Sequence, residues 1–230
     1  MSGCRTPVRA LGGIGLAQRL AAAALRVVVR ATTRIEVEGG ATLPRTGPLI
    51  VVANHTSNVD PPLVEAWLQP RLGRPIQFMA KEQLFVPLLR PILRWYGSIL
   101  VRAGGSDVEA YRDGLALLRQ GGVLGVFPEG TRSPDGRLGE AHQGVALLAL
   151  RSGAPVLPVG ISGLDGYLPR GARRPRLGTR VTMRIGEPFT LVLDPRLARR
   201  AAVIDATGTL MARLASLVDA RHRGRHGREA

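Results

Sequence analysis

Leu49-Ile50-Val51-Val52-Ala53-Asn54-His55-Thr56-Ser57-Asn58-Val59-Asp60 decides the fold and introduces the chemistry. Five apolar residues follow Pro48, and the pattern then turns polar. A continuous apolar run of this length, rich in β-branched residues, reads as a strand buried on both faces. Pro61-Pro62 opens a helix reaching about Leu68. Val123 to Phe127 is a second buried strand, ending in Phe127-Pro128-Glu129-Gly130-Thr131-Arg132-Ser133. Strands that feed helices through polar turns build α/β sheets.

The same alternation extends on both sides. Arg34 to Glu38 reads as a short strand closed by Gly39-Gly40, and Pro75 to Ala80 as another. Ser106 to Gln120 reads as a helix, with Ser106 as cap, Glu109 at the capping-box position and Gly121-Gly122 as stop. Val145 to Arg151 is helical, Pro155 to Ile161 and Thr179 to Ile185 are strands, and Arg196 to about Asp219 is a helix. Leu164 to Gly178 is a basic loop. Leu84 to Val101 is apolar but holds Pro87, Arg90, Pro91 and Arg94. It reads as short helices and a strand, either packed in the core or presenting Trp95 and Tyr96 as interface anchors. These elements predict a single α/β domain over 34–220, with a mixed, mostly parallel sheet flanked by helices.

The ends read differently. Leu11 to Ala31 is long enough to span a bilayer, but Arg19, Arg26 and Arg30 interrupt it. Leu16, Leu20, Ala24 and Val27 fall on another face. Residues 1–33 therefore read as an amphipathic segment lying in a membrane interface, against the alternative of a surface helix packed on the domain. No small-residue cleavage site follows the apolar stretch, which argues against a secretory signal. Residues 221–230 form a basic tail that is expected to be disordered.

Composition narrows the partners. The 230 residues carry a net charge of +15, with 45% hydrophobic content. That field favours anionic partners, including an anionic membrane surface. Aromatic residues make up only 4% of the chain, too few for base-stacking platforms, so nucleic acid is not expected. One cysteine, Cys4, allows no intrachain disulfide and fits a reduced, intracellular setting. Lys81 is the only lysine among 32 basic residues. A compact ammonium suits phosphate contact, although chance would also explain it.

His55 can act as general base near pH 7, and Asp60 can accept its other ring N–H. Asp60 before two prolines also carries the signature of a helix N-cap. Ser57 is a possible nucleophile, but no G-x-S-x-G pattern surrounds it, which favours direct attack by a substrate hydroxyl. One His and one Asp are too few for a metal site, and His142, His222 and His226 add no supporting spacing. In the second motif Gly130 permits close backbone approach, Thr131 can donate and Arg132 can pair bidentately with phosphate. Glu129 can accept from a substrate hydroxyl or orient Arg132. No Gly-Lys-Ser/Thr follows, so this is no P-loop, and Gly13-Ile14-Gly15 lacks the preceding strand of a dinucleotide fingerprint.

Together the two motifs resemble the glycerolipid acyltransferase family, typified by 1-acylglycerol-3-phosphate O-acyltransferase. Asn54 to Asp60 matches the family's N-H-x-S-x-x-D block, and Phe127 to Ser133 matches F-P-E-G-T-R-S. Ile76 to Leu84, with Lys81 and Glu82, resembles the second block, and Pro155-Val156-Leu157-Pro158-Val159 the fourth. The four ordered blocks lie between about residues 34 and 190. The resemblance implies transfer of a fatty acyl group from acyl-CoA or acyl-carrier protein to the hydroxyl of a lysophospholipid, most simply 1-acylglycerol-3-phosphate giving phosphatidic acid. It implies His55 as base and Asp60 as its partner. Asn54, Ser57, Lys81, Arg102, Glu129, Gly130, Thr131 and Arg132 would serve substrate binding, with no metal or redox cofactor. The enzyme would sit peripherally on the cytoplasmic face of the cell membrane.

Two positions depart from the family pattern. Val101-Arg102-Ala103 stands where V-x-R is usual, so either Arg102 substitutes or the acceptor lacks that contact. Gln143-Gly144 stands where a basic residue usually precedes glycine. A same-family enzyme with a glycolipid or lipoamino acid acceptor is the alternative. A non-catalytic basic protein binding membrane or nucleic acid is a distant one. Backbone donors near Gly130 are the candidates for an oxyanion site.

Overall fold

A central strand with no exposed residue organises the molecule. The computed structural model describes residues 13–102, 108–169, 171–172 and 174–227. In chain order the elements are α1 (Leu16–Thr32), β1 (Thr33–Gly39), β2 (Leu49–Ala53), α2 (Asp60–Leu72) and β3 (Ile76–Lys81). Then come α3 (Arg90–Tyr96), β4 (Ile99–Val101), α4 (Val108–Arg119), β5 (Val123–Val126) and α5 (Gly144–Ser152). The last are β6 (Val156–Ser162), α6 (Leu164–Tyr167), β7 (Thr179–Ile185) and α7 (Arg199–Leu217). Among the described residues the strands form one seven-stranded sheet in the order β1-β7-β6-β2-β5-β3-β4. All pairs are parallel except β6 with β7. This is the mixed, mostly parallel α/β architecture expected.

β2 shows why the apolar run is continuous. Leu49, Val51 and Ala53 face one core layer, with Leu63, Val64 and Trp67 of α2. Ile50 and Val52 face the other, with Leu117 of α4, Ala146 of α5 and Leu210 of α7. Strands covered on both faces lose the polar alternation of a half-exposed strand. Because β2 pairs in parallel with both β5 and β6, the residues after Ala53 and after Val126 emerge on one rim. In open α/β sheets that C-terminal rim is where ligands bind.

Several elements differ from the sequence reading. α1 is a helix as expected, but it is also packed: Ala22 and Val29 are buried. Arg26 Nη1 donates to the Ala66 carbonyl at 3.1 Å, and the Arg30 guanidinium lies over the Trp67 ring. Its other face stays open, with Leu16 at 73%, Leu20 at 60% and Val27 at 66% exposure. No helix among the described residues is long and apolar enough to cross a membrane. The segment expected as a possible core piece divides: Leu84 to Tyr96 is not core, since no residue of α3 is buried and Leu88 just before it is 80% exposed, whereas Ile99 of β4 is buried in the core. The Ser106 cap and Ala103 lie outside the described residues. Of the 221–230 tail expected to be disordered, residues 221–227 take up defined turns and residues 228–230 lie outside the described residues. The described part forms 3₁₀ turns at Ala220–His222 and Gly224–Gly227, because His222 is buried and makes polar contacts described below.

Gly125 in β5 is a close-packing position. A Cβ there would lie 2.6 Å from the Phe78 ring, and that ring stacks toward the rim. Gly125→Ala should therefore cost about 1–3 kcal/mol by overpacking, measured by urea unfolding. A variant as stable as the wild type would show that Phe78 has room to shift.

Candidate active site

The two rim loops are joined through the backbone of His55. Its N–H donates to Glu129 Oε1 at 2.9 Å, and its carbonyl accepts from Ser133 N at 2.7 Å. The first loop is thus held to the beginning and the end of the second motif. The His55 ring stacks on Phe127, with centroids 4.2 Å apart and planes at 21°. Phe127 stacks in turn on Phe78 at 5.2 Å. This leaves the imidazole one face packed and one edge open.

Asp60 fixes that ring. Its Oδ2 lies 2.8 Å from His55 Nδ1 and accepts from Thr56 N at 2.6 Å and Ser57 N at 2.7 Å. An oxygen receiving two amide donors is an acceptor toward the third, so Nδ1 carries the hydrogen and Nε2 holds the lone pair. His55 Nε2 makes no hydrogen bond among the described residues. The His55 side chain keeps 17% exposure while the Asp60 side chain keeps none. The expected N-cap role is not the one seen: Val59 is the N-cap residue and Asp60 opens the helix. Its carboxylate instead turns back to gather the loop amides. Burial pushes the Asp60 carboxyl above its ordinary value, against the lowering effect of His55 and the two amides.

Glu129 is also turned inward. Oε1 takes the His55 amide and Oε2 takes the Gly139 amide at 2.9 Å. With both oxygens occupied, it braces the two loops rather than reaching for a substrate hydroxyl. Burial raises its carboxyl above the ordinary value, while the two amides and His55 oppose the rise.

A protein-family model described as Acyltransferase matches residues 34–162. This chain belongs to the acyltransferase family. Over 146 residues it is 33% identical to the chloroplastic 1-acyl-sn-glycerol-3-phosphate acyltransferase LPAT1 of Arabidopsis thaliana, covering 60% of this chain and 39% of that protein. It is 29% identical over 134 residues to the 1-acyl-sn-glycerol-3-phosphate acyltransferase of Pseudomonas aeruginosa, covering 57% and 50%. The alignments span about half or less of these relatives' own length. The solved structure of the 1-acyl-sn-glycerophosphate (LPA) acyltransferase PlsC from Thermotoga maritima superposes with a TM-score of 0.67 and 27% identity, covering 87% of this chain and 78% of that one.

In this acyltransferase-family chain the remaining motif residues divide into two groups. Asn54 and Ser57, expected to touch substrate, are buried and committed to the protein. Asn54 Nδ2 donates to the Ile161 carbonyl at 2.8 Å and Oδ1 accepts the Ile161 amide at 2.7 Å, extending the β2–β6 ladder by one side chain. Ser57 Oγ donates to the Leu168 carbonyl at 3.4 Å. The Gly130 amide is also spent, donating to the Phe127 carbonyl at 3.0 Å. At φ +65° Gly130 sits where a Cβ would meet the His142 ring at 2.9 Å.

The second group faces outward. Lys81 ends β3, opposite Val101 of β4, and Arg102 follows directly. Thr131 is exposed and Arg132 is half-buried. Lys81 and Arg132 carry no ion pair among the described residues, whereas Arg102 Nη1 pairs with Glu109 at 2.7 Å. Gln143 occupies the N-cap position of α5 without a side-chain cap bond. No cluster of His, Cys, Asp and Glu suited to a metal ion occurs among the described residues. Phe78 and Gly139 contribute to the site without having been singled out from sequence, and Phe127, read there as the head of its motif, turns out to be the ring packed on His55.

The raised carboxyl of Glu129 has a stability consequence. A group whose folded value exceeds its ordinary 4.5 contributes stability that is fully present below the unfolded value and is lost as pH rises through the folded one. Glu129→Gln removes that contribution and turns an amide NH₂ against a backbone donor, costing about 1–3 kcal/mol. The wild-type advantage in urea unfolding should shrink as pH rises from about 4 to about 7. An advantage that grows over that interval would reverse the assigned direction.

Proposed function

We propose that this protein is an O-acyltransferase that moves a fatty acyl group from acyl-CoA or acyl-carrier protein to the free hydroxyl of a lysophospholipid. The acceptor most consistent with the relatives' names is 1-acylglycerol-3-phosphate, giving phosphatidic acid. The observation that carries this reading is the His55–Asp60 pair at 2.8 Å, with Nε2 at the sheet rim and unengaged among the described residues. Nε2 takes the proton of the acceptor hydroxyl as its oxygen attacks the thioester carbonyl. The C–S bond breaks, and the departing thiolate recovers the proton from the imidazolium. The Asp60 carboxylate stabilises that imidazolium, as the orienting acid of a triad does. The thioester is already activated, so the scheme calls for no metal or redox cofactor.

Lys81 and Arg132, on the same rim and without an ion pair among the described residues, supply the charge for a phosphate headgroup. Arg102 is a weaker contributor because Glu109 already holds it. Leu88, Leu89 and Ile92 are exposed on the segment that leaves Lys81, an apolar surface suited to a lipid substrate. The exposed stripe of Leu16, Leu20 and Val27 on α1, edged by Arg19, Arg26 and Arg30, supports a peripheral position on the cytoplasmic face of an anionic membrane.

Thiol release from acyl-CoA and acyl-carrier protein, measured across a panel of lyso-lipids, tests donor and acceptor together. His55→Ala should lower acceptor-dependent release on the order of 10²–10⁴-fold. Full activity in that variant would refute the mechanism. For the membrane contact, Leu20→Glu/Val27→Glu leaves the packed face of α1 intact and should weaken co-sedimentation with phosphatidylglycerol vesicles. Unchanged binding would exclude α1 as the contact.

A further inference from the structure

We infer that residues 220–227, beyond the last long helix, are a positioning device for the candidate active site. His222 and His226 hold the Leu138–Gly139 backbone where the Gly139 amide meets Glu129, and Glu129 in turn holds His55. The inference deepens the acyltransferase reading and rests on it for its rate readout.

The connection can be followed bond by bond. α7 ends at Leu217, and Asp219 is anchored by its amide to Ser162 Oγ at 2.9 Å and by its carboxylate to Arg184 at 2.8 Å. His222 then enters the protein. Its Nε2–H donates to Asp165 Oδ1 of α6 at 3.1 Å, and this bond holds the Asp165 carboxyl below the usual range. The His222 carbonyl accepts the Leu138 amide at 2.7 Å. His226 Nε2–H donates to the Gly139 carbonyl at 3.1 Å. On its other side Gly139 gives its amide to Glu129 Oε2 at 2.9 Å, whose Oε1 holds the His55 amide.

The peptide groups on either side of the Leu138–Gly139 bond are thus clamped by residues 220–227, and the amide between them is spent on Glu129. Residues 134–143 form no regular element, so no ladder of their own fixes Gly139. A loop without internal ladder bonds takes its position from such outside contacts. A buried carboxylate is held by all of its donors at once. If the Gly139 amide withdraws, Oε2 is left uncompensated and Glu129 is free to leave the His55 amide.

His226 is the residue to change, because it is only half-buried and its loss leaves the core intact. His226→Ala should lower kcat roughly three- to tenfold, the scale of one hydrogen bond, with KM for the acceptor unchanged. His226→Gln, whose amide can donate to the same carbonyl, should restore most of the rate. In a Glu129→Gln background, adding His226→Ala should cost little more, because both act on one connection. Hydrogen exchange at the Gly139 and His55 amides should accelerate in His226→Ala. Exchange is read whether or not the protein turns over, so it separates the two claims. Wild-type protein that releases no thiol overturns the acyltransferase reading. Unchanged exchange, or rate losses that simply add in the double variant, overturns the positioning role.

Discussion

Everything at the site depends on the two peptide groups that flank His55 both being held. Its N–H belongs to Glu129 and its carbonyl to Ser133, so one residue of the β2 loop is clasped by the β5 loop. The clasp works because β2 and β5 are adjacent and parallel, which brings both loops to the same rim at the same height. Loops emerging on opposite faces would have separated the imidazole from Thr131 and Arg132.

Two buried carboxylates sustain this arrangement, and each is filled by donors. Asp60 receives two amides and the imidazole; Glu129 receives two amides. Burial disfavours the charge on both, and the donors offset it. The outcome is a division of labour. Acidic side chains face inward and set geometry, whereas Lys81, Thr131 and Arg132 face outward and remain available. A base fixed in advance by donors already in place needs little reorganisation at the moment of reaction, which suits the proposed acyl transfer.

The fold was largely legible in the sequence. β2 and β5 announce themselves as apolar runs because both faces are covered, and Thr179 to Ile185 alternates because it lies near the sheet edge. The residue spacing of the His55/Asp60 pair was equally readable, since five residues across a strand-to-helix turn close a compact loop. Less readable was the direction in which each motif side chain faces. Asn54, Ser57 and Glu129 sit in motifs suggestive of substrate contact, yet their partners Ile161, Leu168 and Gly139 lie elsewhere in the chain, and no local pattern names them. The tail shows the same limit. A short basic stretch reads as solvated until a buried partner such as Asp165 for His222 is known.

The central claim is that Asp60 holds the His55 imidazole with its hydrogen on Nδ1, leaving Nε2 as the base. Nitrogen-15 NMR of the labelled imidazole at neutral pH tests it most directly. The account predicts a protonated Nδ1 with a slowly exchanging, strongly hydrogen-bonded proton and an unprotonated Nε2. A hydrogen resident on Nε2, with Nδ1 bare, would contradict it.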